Sequence, residues 1–187
     1  MPWEGRSGRP SKKAKKEPEP LTRQKLEQAA LAYLNRFDVT AAKLRQHLTQ
    51  RVRKAGGDEQ AAQWISELVE RYLGSGVLDD ARFARNLTTQ LTARGKSSRA
   101  ISQKLAMRGV GSELASELMA ARKQDEPEAE LEAAKQYARK RRLGPHRPEA
   151  ERNEHRQKDL ASLARQGFSF DIARRALADS ASTDDEF

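Results

Sequence analysis

Leu105-Ala106-Met107-Arg108-Gly109-Val110 and Leu163-Ala164-Arg165-Gln166-Gly167-Phe168 follow one pattern. An apolar face ends on a glycine, and an apolar residue then turns the chain back toward a core. Leu114 follows the first glycine as Ile172 follows the second. The physical content is a helix stopped by a left-handed glycine, then a second helix that starts at once. The similarity extends upstream, because Thr40, Leu44 and Leu48 have the spacing of Ser97, Ile101 and Leu105. In the first copy an insertion, Arg53 to Asp58, precedes the last helix.

Helical periodicity fills the chain around these two stretches. Leu26, Ala30, Tyr33, Leu34 and Phe37 predict a helix over 22–37. Thr40 is placed to cap the next, with Val39 and Leu44 in staple positions. Gly56-Gly57-Asp58 breaks it, and Trp64, Ile65, Leu68 and Leu73 predict a third helix over 59–74. Asp79 caps a fourth that runs to Ala93, with Asp80 suited to the positive end of its dipole. Further helices are predicted over 98–108, 112–122, 128–142, 149–166 and 170–178. The expected fold is all-α: three tandem three-helix repeats, 22–75, 79–123 and 128–178, in an elongated array. Residues 1–20, rich in Pro, Gly, Ser and Lys, are expected to be a disordered basic extension. Residues 179–187 are expected to be a short acidic tail, and 124–129 an acidic hinge.

Composition agrees with small cores in series. Of 187 residues, 36% are hydrophobic and 34% charged, which is poor for one large core. There is no cysteine, so disulfides, thiolate catalysis and Cys-type zinc sites are excluded. No apolar run approaches the roughly 20 residues of a membrane span, and no secretory signal is legible. A cytoplasmic, monomeric protein is expected.

Catalytic patterns are missing. His47, His146 and His155 form no metal-ligand spacing. Gly74-Ser75-Gly76 follows a helix and lacks the wider phosphate-cradling pattern. Asp79-Asp80 reads as helix capping rather than as an acid/base pair. Neither a catalytic residue nor a cofactor is expected.

The formal charge of +9 is uneven. Residues 21–78 carry +3, whereas 79–123 and 130–178 carry +5 each. In the second repeat the excess gathers at Arg94, Lys96, Arg99, Lys104 and Arg108. In the third it gathers at Arg139, Arg141, Arg142, Arg152 and Arg156, together with Lys140 and Lys158. These ten arginines and lysines of the two clusters, Lys140 and Lys158 aside, are the candidate contacts to an acidic protein surface or to phosphates. Few aromatic residues accompany them, which favours backbone or groove contacts over base stacking.

Gly76-Val77-Leu78-Asp79-Asp80-Ala81-Arg82-Phe83-Ala84 resembles the signature of RecX-type regulatory proteins. Arg94-Gly95-Lys96-Ser97, Ile101, Leu105 and Gly109-Val110 continue the likeness. Ala32-Tyr33-Leu34 with Arg36 resembles the family's opening, and Leu163 to Phe168 its ending. The resemblance covers about 22–178. The longer second helix before Gly56 and the basic N-terminal extension depart from the shared pattern.

The resemblance implies tandem three-helix repeats that bind the RecA recombinase filament along its groove. It implies inhibition of RecA's recombinase, ATPase and coprotease activities, and thus regulation of DNA repair and the SOS response. Single- or double-stranded DNA, without sequence preference, is a further contact it leaves open. Asp79, Arg82 and Phe83 carry the resemblance but are assigned to structure. The alternative is a stand-alone, helix-turn-helix-like nucleic-acid-binding regulator. Against it, the helix after Gly109 begins with Ser112, Glu113 and Glu117, which would repel phosphate.

Overall fold

The computed structural model describes residues 21–125 and 128–178. The expected basic extension over 1–20 and acidic tail over 179–187 lie outside the described residues, as do Glu126 and Pro127 of the expected hinge. Among the described residues there are nine α-helices: α1 (Arg23–Leu34), α2 (Ala41–Lys54), α3 (Glu59–Gly74), α4 (Asp80–Ala93), α5 (Ser98–Met107), α6 (Ser112–Asp125), α7 (Ala129–Arg141), α8 (Glu149–Arg165) and α9 (Phe170–Ala176). A short 3-10 turn, Gly144–His146, lies between α7 and α8. The described chain contains no strand.

The apolar stripes bury themselves in three clusters. Leu26, Leu44, Leu48, Ile65, Val69 and Tyr72 lead the first, built by α1, α2 and α3. Phe83, Leu91, Ile101, Leu105 and Val110 lead the second, built by α4, α5 and α6. Leu131, Ala134, Leu143, Leu163, Phe168 and Ala173 lead the third, built by α7, α8 and α9. Each cluster is small.

The helix starts follow the capping residues. Thr40 accepts a hydrogen bond from the Lys43 amide at 3.2 Å and Asp79 from the Arg82 amide at 2.8 Å. Three expectations need correction. Helix α6 runs on to Asp125, three residues past its expected end and into the expected hinge. Helix α1 stops at Leu34, three residues short of the expected end. The amides of Arg36 and Phe37 both fold back onto the Tyr33 carbonyl, forming a turn. Phe37 therefore leaves the helical stripe and is 50% exposed. Leu73, expected to face a core, is exposed, and Tyr72 beside it is buried instead.

The two glycine turns join neighbouring groups. At the end of α5, the Arg108 carbonyl accepts a 2.7 Å hydrogen bond from the Thr40 hydroxyl at the start of α2. At the end of α8, the Gln166 carbonyl accepts a 2.6 Å bond from the Ser97 hydroxyl at the start of α5. Each hydroxyl also accepts an amide of the helix it caps, Lys43 or Ala100. One hydroxyl thus satisfies an orphan donor of one helix and an orphan acceptor of another. It also sets the positive end of one dipole against the negative end of the next.

A carboxylate completes each junction. Asp80 accepts the Ala41 amide at 2.8 Å. Glu130 accepts the Ser98 amide at 3.0 Å and the Ser98 hydroxyl at 2.6 Å. Helices α8, α5 and α2 are therefore linked end to end by two junctions of the same design.

Gly109 and Gly167 meet two demands there. Their φ angles are +83° and +91°. A methyl on Gly109 would lie 2.8 Å from Ala42 Cβ and 3.1 Å from Thr40 Oγ1; on Gly167 it would lie 2.8 Å from Ser97 Oγ. Conformation and close approach both select glycine.

Candidate partner-binding surface

Helix α5 carries the first basic set from one junction to the other. Arg99 lies in its first turn, and a methyl on Gly167 would come within 3.2 Å of Arg99 Cβ. Arg108 caps its other end and lends its carbonyl to Thr40. Arg94, exposed, caps α4, and half-buried Lys96 lies in the short turn before α5. Lys104 is half-buried and Arg108 exposed, four residues apart on α5 and its cap. The set is thus a line along one helix and its ends rather than a single compact patch.

The second set divides among three places. Arg139 lines a groove between the end of α4 and α7, together with Thr92, Gln136, Glu128 and Glu132. Arg141 is the last residue of α7 and lies beside Tyr137. Burial pushes the Tyr137 phenol up. Hydrogen bonds with Ser162 and Arg141, with the charges of Arg141 and Arg165, outweigh it and hold the phenol below its ordinary value. Arg142 ends α7 in the left-handed conformation, φ 53° and ψ 51°. It is the one non-glycine residue with positive φ among the described residues. Its backbone does what a glycine does at the other helix ends.

Arg152 and Arg156 line a cleft of about 600 Å³ between the start of α8 and the end of α9. Arg174 and Arg175 line it too, and sequence reading missed both. They belong to the last, short helix, whose charges pair locally in sequence: Arg174 lies 3.5 Å from Asp171. Arg175 reaches Glu128, 47 residues away, at 3.1 Å. No sequence pattern announces that approach. Arg152 is also a brace, its Nε donating to the Arg147 carbonyl at 3.2 Å and Nη2 to the Pro145 carbonyl at 3.1 Å.

Beneath the cleft lies Asp159, which is 1% exposed. It accepts Arg147 Nε and Nη2, both at 2.9 Å, and the Gly144 amide at 2.8 Å. Burial raises its pKa. The Arg147 hydrogen bonds and charge, the Gly144 amide and the nearby His155 more than offset that, so the carboxyl is held below its ordinary value.

Four arginines around one concavity, with Glu149 and Asp159 as the carboxylates among its lining residues, suit a multivalent anion. Guanidinium groups bind carboxylate and phosphate oxygens in pairs. Among the described residues no group of three or more His, Asp or Glu side chains is placed to hold a metal ion. No helix of the described chain is long and apolar enough to cross a membrane. Asp79 caps α4 and Asp80 binds Ala41, so these two carboxylates serve structure.

Residues 79–119 match the family model described as RecX, second three-helix domain. The chain is 38% identical over 182 residues to the Regulatory protein RecX of Myxococcus xanthus (strain DK1622), covering 93% of this chain and 96% of that protein. It is 30% identical over 153 residues to the Regulatory protein RecX of Agrobacterium fabrum, covering 80% of each. Among solved structures, the fold is similar to the crystal structure of RecX from Lactobacillus salivarius. The TM-score there is 0.63 at 19% identity, over 83% of this chain and 94% of the other. A second crystal structure of regulatory protein RecX gives a TM-score of 0.61 at 23% identity, over 81% of this chain and 71% of the other. With its sequence matched over nearly its whole length and its helices matched in fold, the chain belongs to the RecX family of regulatory proteins.

Proposed function

We propose that this protein binds the RecA recombinase filament and inhibits its recombinase, ATPase and coprotease activities. In this reading it acts as a cytoplasmic monomer, without a catalytic group or cofactor, in the regulation of DNA repair and the SOS response. The chain is read as three units, 22–75, 79–123 and 128–178. The observation that supports the reading best is the end-to-end coupling of α8, α5 and α2 by two like junctions. It carries a line of cations on α5 and an arginine cleft at α8. An extended basic ligand of this kind fits a repeating acidic or phosphate-bearing surface, and long-range electrostatics would speed its association.

The ten candidate contacts are Arg94, Lys96, Arg99, Lys104, Arg108, Arg139, Arg141, Arg142, Arg152 and Arg156, joined now by Arg174 and Arg175. The reading as a helix-turn-helix regulator is less favoured. Glu113 and Glu117 are exposed on α6, where a recognition helix would meet phosphates.

The test is RecA's ATPase on single-stranded DNA with this protein added. The expected result is a dose-dependent fall that weakens when Arg94, Arg99 and Arg108 are reversed to Glu. Unchanged ATPase and unchanged strand exchange would overturn the proposal.

A further inference from the structure

Two of the chain's few aromatic residues, Tyr33 and Phe37, meet a histidine ring in one groove. In the groove between α1 and α2, the Tyr33 and His47 rings stack at 4.0 Å with an interplanar angle of 4°. Phe37 continues the row, its centroid 5.2 Å from that of Tyr33. The Arg36 guanidinium lies 5.9 Å from the Phe37 centroid. Burial and the charges of Arg51 and Lys54 hold His47 below its ordinary range, so it stacks as a neutral ring near pH 7.

The groove has a volume of about 950 Å³, and Lys25, Arg36, Arg51 and Lys54 line it with no carboxylate among the lining residues. Part of this charge has a structural use, since Arg51 and Lys54 lie in the last turn of α2. A helix end carries only about half a negative charge, so it does not offset the two charges of Arg51 and Lys54 in full. The arginine cleft at α8 differs, because it holds two carboxylates and no aromatic ring.

We propose that the α1/α2 groove binds single-stranded nucleic acid. Unpaired bases stack on the exposed Phe37 at the end of the Tyr33–His47 row, and phosphates meet Arg36, Arg51 and Lys54. A row of rings flanked by cations is what a single strand requires, because every base has a π face and every nucleotide a phosphate. A duplex hides its base faces and is a poor occupant. An acidic peptide would use the cations and leave the rings unused. The site lies in the least basic of the three helical groups, residues 21–78, which carry +3.

The experiment uses the full chain without RecA, so its outcome is independent of the filament reading. Fluorescence anisotropy with labelled oligo(dT) measures affinity, and an abasic deoxyribose-phosphate oligomer of equal length serves as the comparison. Replacing Phe37 by Ala is expected to weaken oligo(dT) binding about five- to 100-fold while leaving abasic binding unchanged. Phe37→Trp should restore oligo(dT) affinity. Reversing Arg51 and Lys54 to Glu should weaken both probes and flatten the salt dependence. Equal binding of oligo(dT) and abasic oligomer, or no effect of Phe37→Ala on oligo(dT), overturns the proposal. So does an acidic peptide that competes equally well against the wild-type and Phe37→Ala proteins. Phe37 is half-exposed on a turn, and circular dichroism of the variant checks that the fold is intact.

Discussion

Thr40 and Arg108, 68 residues apart, share a 2.7 Å hydrogen bond from a hydroxyl to a carbonyl. Thr40 is fully buried, so its hydroxyl has no water as a substitute partner. Thr40→Ala removes a helix cap, at about 0.5–2 kcal/mol, and leaves the Arg108 carbonyl without its bond, at about 1–3 kcal/mol. Urea unfolding should show a loss of roughly 2–4 kcal/mol, and Thr40→Ser should recover most of it. Ser97→Ala should behave alike through Gln166. The two junctions share no residue, so the double variant should be near additive. A loss under 0.5 kcal/mol in both single variants would show that the hydroxyls are not what couples the groups.

The glycines give a graded series. Gly76, Gly109 and Gly167 all have positive φ, at 73°, 83° and 91°. Nothing lies within 4 Å of a methyl placed on Gly76, whereas Gly109 and Gly167 face atoms at 2.8 Å. Alanine at Gly76 should cost only the left-handed conformation, about 1–2 kcal/mol. At Gly109 or Gly167 it must also push the neighbouring group away and lengthen the Thr40 or Ser97 bond. Thermal melts should rank both clearly below Gly76→Ala, with the amides of Lys43 and Ala100 losing hydrogen-exchange protection. Equal losses at all three positions would mean that the close approach has no energetic weight.

The sequence made the helices legible because their signals are local. Thr40, Asp79 and the glycine stops act within four residues of themselves. The match of residues 105–110 with 163–168 also announced that two turns do the same job. It did not announce what the job was. The junction lies between Thr40 and Arg108, and between Glu130 and Ser98, pairs that no periodicity connects. For the same reason Asp80 read as a dipole residue, although its oxygen binds the Ala41 amide. The basic clusters were legible as charge but not as surface. Arg152 looked like a binding residue and is also a brace, and Arg174 and Arg175 went unnoticed until folding brought α9 beside α8.

Asp159 stands in α8 at the position that Ile101 holds in α5, and it is buried like Ile101. Its pKa is depressed in the folded state, so the unfolded chain binds its proton more readily. The linked stability is therefore fully present above the unfolded carboxylate value of about 3.9 and is lost as pH falls through the lower folded value. Asp159→Ile should remove that acid-dependent component. It should also destabilise at pH 7 by about 3–5 kcal/mol, because Arg147 loses its counter-charge. Adding Arg147→Met should return part of the loss, since paired apolar replacements leave no uncompensated charge. Urea titrations between pH 7 and 3 on the three proteins check this. A single Asp159→Ile variant with wild-type stability would show that the pair has no structural weight.

Arg152 and Arg156 separate folding from binding. Both line the arginine cleft, but Arg156 is exposed, whereas Arg152 is half-buried and donates to the Arg147 and Pro145 carbonyls. Arg156→Glu should therefore leave urea unfolding within about 0.5 kcal/mol of wild type, as for most surface changes. Its expected effect is on association with a polyanion or with the RecA filament, mainly as a slower on-rate with a weaker salt dependence. Arg152→Glu should lower both, because the two carbonyls lose their donor while the cleft loses a cation. Arg152→Gln distinguishes the contributions: it removes the charge but retains a donor on a shorter stem. Stability should be partly recovered in that variant and association should not. If Arg156→Glu and Arg152→Gln both associate as the wild type does, the cleft's charge has no part in association and Arg152 serves only to brace the 3-10 turn.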